Sequence, residues 1–132
     1  MEKKTRSTSL SAGLAVYALL TQDEQLAASV TKVFPVVTDL AELPYIAYRR
    51  VSMAQDPVKA GMPGADTVRM EVGVFTASYA EGVTIAEAVR RAMERKMYLP
   101  DGLQVRSCLL ADAAEEWQDD AYVQRLSFDM RM

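Results

Sequence analysis

The chain has 132 residues, half of them hydrophobic and a quarter charged, which suits one globular domain that needs no staples. Its net charge of −3 argues against a nucleic-acid binder, which carries a basic excess or patch. Histidine is absent, and this removes Ser-His-Asp and Cys-His catalysis and most zinc sites. The single cysteine, Cys108, has no partner within the chain and sits among apolar residues, so it reads as a buried free thiol.

No apolar run approaches the roughly 20 residues that a membrane span requires. Met1 to Arg6 is basic and Leu14 to Leu20 apolar, but Gly13, Tyr17 and Gln22-Asp23-Glu24 leave a short apolar segment without a small-x-small cleavage site. The reading is a cytosolic protein with a flexible, charged amino terminus at 1–8 and a single domain at 9–132.

Ser9 to Leu20 has helical spacing. Ser9 is the expected N-cap, and Leu10, Leu14, Tyr17 and Ala18 fall on one face while Val16, Leu19 and Leu20 widen the apolar surface. Thr21 and Glu24 form a capping box that opens a short helix to about Ser29. Val30 to Phe34 is a short extended run stopped by Pro35. Leu43 to Val51 reads as a strand entered through Pro44, with Tyr45, Ala47, Arg49 and Val51 on one face and Ile46, Tyr48, Arg50 and Ser52 on the other.

The stretch 55–66 holds Pro57, Gly61, Pro63 and Gly64 without periodicity, and so predicts a long mobile loop. Val68, Met70, Val72 and Val74 then alternate with Arg69, Glu71 and Gly73, a strand with one apolar face. A helix follows, opened by a capping box of Thr84 and Glu87. Ile85, Ala88, Val89, Ala92, Met93 and Met97 share its apolar face, and Glu87, Arg90, Arg91, Glu94 and Arg95 the other.

Leu99-Pro100-Asp101-Gly102 is a turn. In the next strand, Leu103 to Leu110, Val105, Ser107 and Leu109 are expected on one face and Arg106, Cys108 and Leu110 on the other. Trp117 to Asp120 reads as a hairpin connection, and Tyr122 to Met132 as the last strand, with Leu126, Phe128 and Met130 facing inward. The polar segment 111–120 fits either an extension of the hairpin past the sheet or an irregular loop. The predicted fold is α+β: an antiparallel sheet of about four strands against two main helices, in the order α-β-β-α-β-β.

No catalytic constellation emerges, and there is no glycine-rich phosphate loop. Glu115, Glu116, Asp119 and Asp120 are dense enough to suggest a divalent cation or a carboxylate pair, but they lack the order of a calcium loop and suit a solvated hairpin tip. Arg90, Arg91, Arg95 and Lys96 could meet phosphate, yet the interleaved Glu87 and Glu94 suit a salt-bridged helix face. Tyr45, Tyr48 and Tyr79 suit ligand contact or strand packing equally. The eight methionines read as adaptable filler. No catalytic, cofactor-binding or metal-binding residue is assigned.

Several stretches together resemble the tail-completion family of small phage and prophage proteins, also described as tail-terminator or tail-to-head joining proteins. They are Leu-Thr-Gln-Asp-Glu-Gln-Leu at 20–26, Val33-Phe34-Pro35, Leu43-Pro44-Tyr45-Ile46-Ala47-Tyr48, Val72-Gly73-Val74-Phe75, and Ser78-Tyr79 leading into Ile85-Ala86-Glu87-Ala88-Val89-Arg90. An acidic tip ahead of Phe128-Asp129-Met130 completes the likeness, which runs from about Leu10 to Met130. The resemblance implies a non-enzymatic structural protein without a cofactor. It also implies a ring, typically of six subunits, that caps the tail tube and meets the head connector. Its location would be the bacterial cytoplasm during assembly and then the virion tail.

Candidate subunit contacts are Arg90, Arg91, Glu94 and Arg95, the broad apolar surface of the first helix and an exposed strand edge; Pro57, Lys59, Met62 and Asp66 are the candidate partner-contacting loop. The alternatives are a small-molecule-binding module that uses the tyrosines and acidic tip, and an oligomeric adaptor unrelated to virus assembly.

Overall fold

The computed structural model describes residues 9–36, 42–55, 66–95 and 105–132. Helix α1 (Ala12–Thr21) follows a 3-10 turn at Ser9–Ser11, and α2 is Glu24–Ser29. Strands β1 (Val33–Pro35), β2 (Tyr45–Gln55) and β3 (Asp66–Thr76) precede α3 (Tyr79–Met93), and β4 (Ser107–Gln118) and β5 (Ala121–Arg131) form the closing hairpin. The predicted turn at Leu99–Gly102, the end of the predicted helix stripe at Met97, and most of the predicted loop, with Pro57, Lys59 and Met62, lie outside the described residues.

The fold is α+β as expected, but among the described residues its sheet has five strands in the order β1-β2-β3-β5-β4. Strand β1 runs parallel to β2, with Val33 opposite Ile46, and the other pairs are antiparallel. The sheet is therefore mixed. The sequence showed β1 as an extended run, but periodicity carries no information on which strand it joins.

The alternation in β3 does what its spacing dictates: Val68, Met70, Val72 and Val74 are all at most 1% exposed. Strands on both sides extend that apolar face with Ile46 and Tyr48 from β2 and with Leu126, Phe128 and Met130 from β5. Ala12, Ala15, Val16 and Leu20 of α1, Leu26 of α2, and Ile85, Ala88, Val89, Ala92 and Met93 of α3 close the core over it. Each large side chain so buried contributes roughly 1.5–3 kcal/mol, and this layer decides the fold. The opposite sheet face carries ion pairs instead. Glu71 accepts from Arg49 and Arg125 at 3.3 Å each, and Arg69 forks onto Asp129 at 2.8 and 3.1 Å.

The helix starts differ from the sequence reading. Ser11, not Ser9, precedes α1, and it makes no side-chain cap. Asp23, not Thr21, caps α2 by accepting from the Leu26 amide, while the Thr21 hydroxyl donates to the Tyr17 carbonyl at 2.7 Å. Helix α3 starts five residues before the predicted box, with the Ser78 side chain accepting from the Glu81 amide. Thr84 lies inside the helix and donates to the Ala80 carbonyl. At α2 and α3 several oxygens near the helix start compete to cap it, and the one that the entering backbone aims at the free amides wins. Helix α3 ends at Met93, where Arg95 takes a positive φ of 64° and its amide donates to the Cys108 carbonyl.

Two bulges shift strand faces. One between Arg50 and Ser52 leaves Arg50 opposite Met70 but puts Ser52 opposite Arg69, so these two residues do not share a face as predicted. The other lies between Leu110 and Asp112. Val105 precedes β4 and is buried, whereas Leu109 is 48% exposed, so the predicted common face of Val105 and Leu109 is broken at Arg106.

Candidate interaction surfaces

The α3 carboxyl end gathers the predicted contact residues and ties each of them within the chain. Arg90 pairs with Glu94 at 3.2 Å, one helical turn on, and Arg91 donates to the Gln25 side chain at 2.9 Å, joining α3 to α2. The Glu94 carboxylate also accepts from the Leu110 amide. With the Arg95–Cys108 bond, α3 thus closes the outer edge of the first half of β4. Asp66, predicted in a partner-contacting loop, is the first residue of β3, and it exchanges backbone hydrogen bonds with Met132 at 3.0 and 3.3 Å.

The second half of β4 is left open. Segment 111–120 is an extended hairpin, which resolves the alternative that the sequence left standing. Trp117 and Gln118, read as part of the connection, belong to β4, and the turn is only Asp119-Asp120. Both turn residues have positive φ, 51° and 61°, as a type I′ turn requires, and aspartate tolerates this region better than most residues. All residues from 111 to 120 are exposed. Trp117 is 59% exposed and makes an edge contact with Tyr122 at 4.8 Å, and Tyr79 at the start of α3 lies 5.9 Å from Tyr122.

The acidic residues of the tip are spread by the pleat. Glu115 accepts from the Gln124 amide at 2.7 Å and the Tyr79 hydroxyl at 2.5 Å; these bonds hold its carboxyl below the usual range and push the Tyr79 hydroxyl up. Glu116 pairs with Arg125 on the other face. Among the described residues no three acidic, cysteine or histidine side chains are grouped to hold a metal ion.

The tyrosines do not converge either. Tyr45 stacks on Phe75 at 4.7 Å on the open sheet face, Tyr48 is 7% exposed in the core beside Tyr17, and Tyr79 serves the hairpin. Burial raises the hydroxyl pKa of both Tyr45 and Tyr48.

Toward the other edge of the sheet, on its helix-bearing face, an apolar groove of about 590 Å³ runs between α1 and β2. Leu10, Leu14, Pro35, Val36, Tyr48 and Met70 line it together with Arg49 and Arg50. Leu10 of the 3-10 turn and Leu14 and Tyr17 of α1 form one stripe, but that stripe is 61%, 63% and 46% exposed, while Ala12, Ala15, Val16 and Leu20 fill the core. Val36 is 64% exposed and held at φ 60°, a strained conformation for a β-branched residue. The sequence signal was present: a helix with two apolar faces and one core beneath it has one face to spare.

Cys108 is the second residue of β4 and is fully buried. Burial pushes its thiol up to about 12, with Glu94 and Asp129 adding to the rise. Such a thiol holds little of the reactive thiolate. A maleimide at mildly alkaline pH is expected to label the native chain roughly a hundredfold or more slowly than the urea-unfolded chain, followed by mass spectrometry. Equal rates would place Cys108 at the surface.

The described residues form one helical layer on one sheet, with apolar side chains exposed at both edges. The family model described as tail completion protein gp17 matches residues 14–132, and the chain belongs to that family. It is thus a structural component of a phage-type tail and not a member of an enzyme family. A chain in the solved virion of a native gene transfer agent particle shares the fold, with a TM-score of 0.71 and 21% identity over 95% of this chain and 98% of that one. No curated protein sequence matches. Among the described residues no helix is long and apolar enough to cross a membrane.

Proposed function

We propose that this chain forms a ring, of six subunits, that caps the tail tube and offers the head connector its docking surface. Family membership over 14–132 carries the reading, and the exposed apolar side chains at both sheet edges support it, because a closed ring needs two different patches on each subunit. The cytoplasm of the host is where the ring would assemble, before it becomes part of the tail.

The α3 carboxyl end is one proposed contact. Arg91 and Arg95 are exposed there, so reversing both charges costs little folding stability, about 1 kcal/mol or less. Light scattering of the wild-type chain over a concentration series is expected to show a discrete mass near six subunits, and Arg91→Glu with Arg95→Glu to lower it at matched concentration. An unchanged mass in the double variant would remove this helix end from the interface. A monomer at every concentration that also leaves added tail tubes uncapped in electron micrographs would overturn the ring.

A further inference from the structure

We infer that the tip of the β4–β5 hairpin of one copy seats in the α1–β2 groove of the next copy, with Trp117 as its anchor. The contact gives the ring its joint and so rests on the ring reading.

The two surfaces complement each other in shape and charge. The tip is a projecting ribbon ending in an exposed Trp117–Tyr122 pair, and it carries Asp112, Glu115, Glu116, Asp119 and Asp120 with no basic residue between Arg106 and Arg125. The groove is concave and apolar, and Arg50, opposite Met70 on the helix-bearing face, brings it a positive charge while donating to the Leu10 carbonyl at 2.9 Å; Arg49 also lines it but turns its side chain to Glu71 on the other face. Neither Asp119 nor Asp120 is ion-paired among the described residues. A large aromatic anchor entering an apolar pocket, with opposite charges at the rim, is how protein contacts concentrate their energy.

The occupant has to come from another molecule. Strand β4 is at one edge of the sheet and β2 is three strand spacings away, roughly 14 Å, so the chain's own tip does not reach its own groove. Both surfaces lie on the helix-bearing side of the sheet. Trp117 opposes Tyr122, which opposes Thr76, in line with the buried Val74 and Val72. Neighbours standing side by side in one orientation therefore dock without turning over. The patches differ, so the contact is head-to-tail and closes only as a ring.

Two further observations agree. The first half of the β4 edge is closed by Glu94 and Arg95, and the Ala113 amide by the Asp112 carboxylate at 2.9 Å; the edge beyond is left to a partner. The strained Val36 sits in the groove, as strained residues do where a surface is used.

Trp117 is the chain's single tryptophan, so its emission reports on the tip alone. The test follows emission and light-scattering mass together in the full-length chain, up to millimolar concentration. The expected result is a blue shift and a loss of acrylamide quenching that track the rise in mass. Leu14→Glu in the groove and Trp117→Ala at the tip each weaken association by roughly tenfold or more. Both sites are exposed, and circular dichroism checks that the variants fold. Mixing these two variants restores one good contact, an intact tip meeting an intact groove, and yields a dimer that neither forms alone. Mass that rises with emission unchanged overturns this joint and leaves the ring standing. Emission already blue and shielded at the lowest concentration, with no rise in mass, shows that Trp117 is covered within the single chain and overturns it too. No change in either signal overturns the joint, and the ring is then judged by tube capping.

Discussion

Phe128→Ala is expected to remove about 3–5 kcal/mol of folding stability, a large part of the roughly 5–15 kcal/mol that such a domain has. Phe128 is fully buried on the inner strand β5, opposite Met70 on one side and Leu110 on the other, beneath the helical layer. Its neighbours are held in register, Met70 in a strand paired on both sides and Leu110 in β4, whose outer edge is tied to Glu94 there, so they cannot collapse into the space that alanine leaves. Phe128→Leu keeps most of the volume and costs less, about 1.5 kcal/mol or under. Urea unfolding followed by circular dichroism reads both as shifts in midpoint at constant slope. A loss below about 1 kcal/mol for alanine would show that the sheet is not organised around this side chain.

Gly82→Ala should also destabilise, by about 1–3 kcal/mol, although alanine in a helix is intrinsically favoured over glycine by about 1 kcal/mol. A Cβ at position 82 would lie 2.8 Å from the Thr76 hydroxyl oxygen. That oxygen has no freedom to retreat: Thr76 is buried and β-branched, and its hydroxyl donates to the Ser78 carbonyl at 2.7 Å. The Gly82 amide donates to the same carbonyl, so the two residues fix how α3 leaves β3. Thr76→Ala combined with Gly82→Ala removes the clashing hydroxyl, and the double variant should be more stable than the sum of the single changes by about 1 kcal/mol or more. Strict additivity of the two would mean that this close approach does not set the position of the helix. Because α3 carries Tyr79 onto Glu115, tilting it should also loosen the hairpin tip.

The core was legible from sequence where one element dominates its own environment. Alternation in Val68–Val74 and in Leu126–Met130 chose the buried faces of β3 and β5, and the Ile85–Met93 stripe chose that of α3, because these residues have only one apolar side to bury. The resemblance to tail-completion proteins, which the family match bears out, lay in the order of such pieces.

The parts misread were those where a neighbour arbitrates. Thr21, Asp23 and Glu24 offer competing oxygens within one turn, and only the path of the chain out of α1 aims Asp23 at the Leu26 amide. The bulges at Arg50–Ser52 and Leu110–Asp112 answer to the register of the partner strand. The parallel pairing of β1, the closing of the β4 edge by Glu94 and Arg95, and the meeting of α1, β1 and β2 around an apolar groove join residues far apart in the chain. The sequence by itself determined which side chains must leave water and that nothing in the chain is built for histidine-based catalysis. Tertiary structure decided which apolar face was left over, since a helix with two such faces can bury only one against a single sheet.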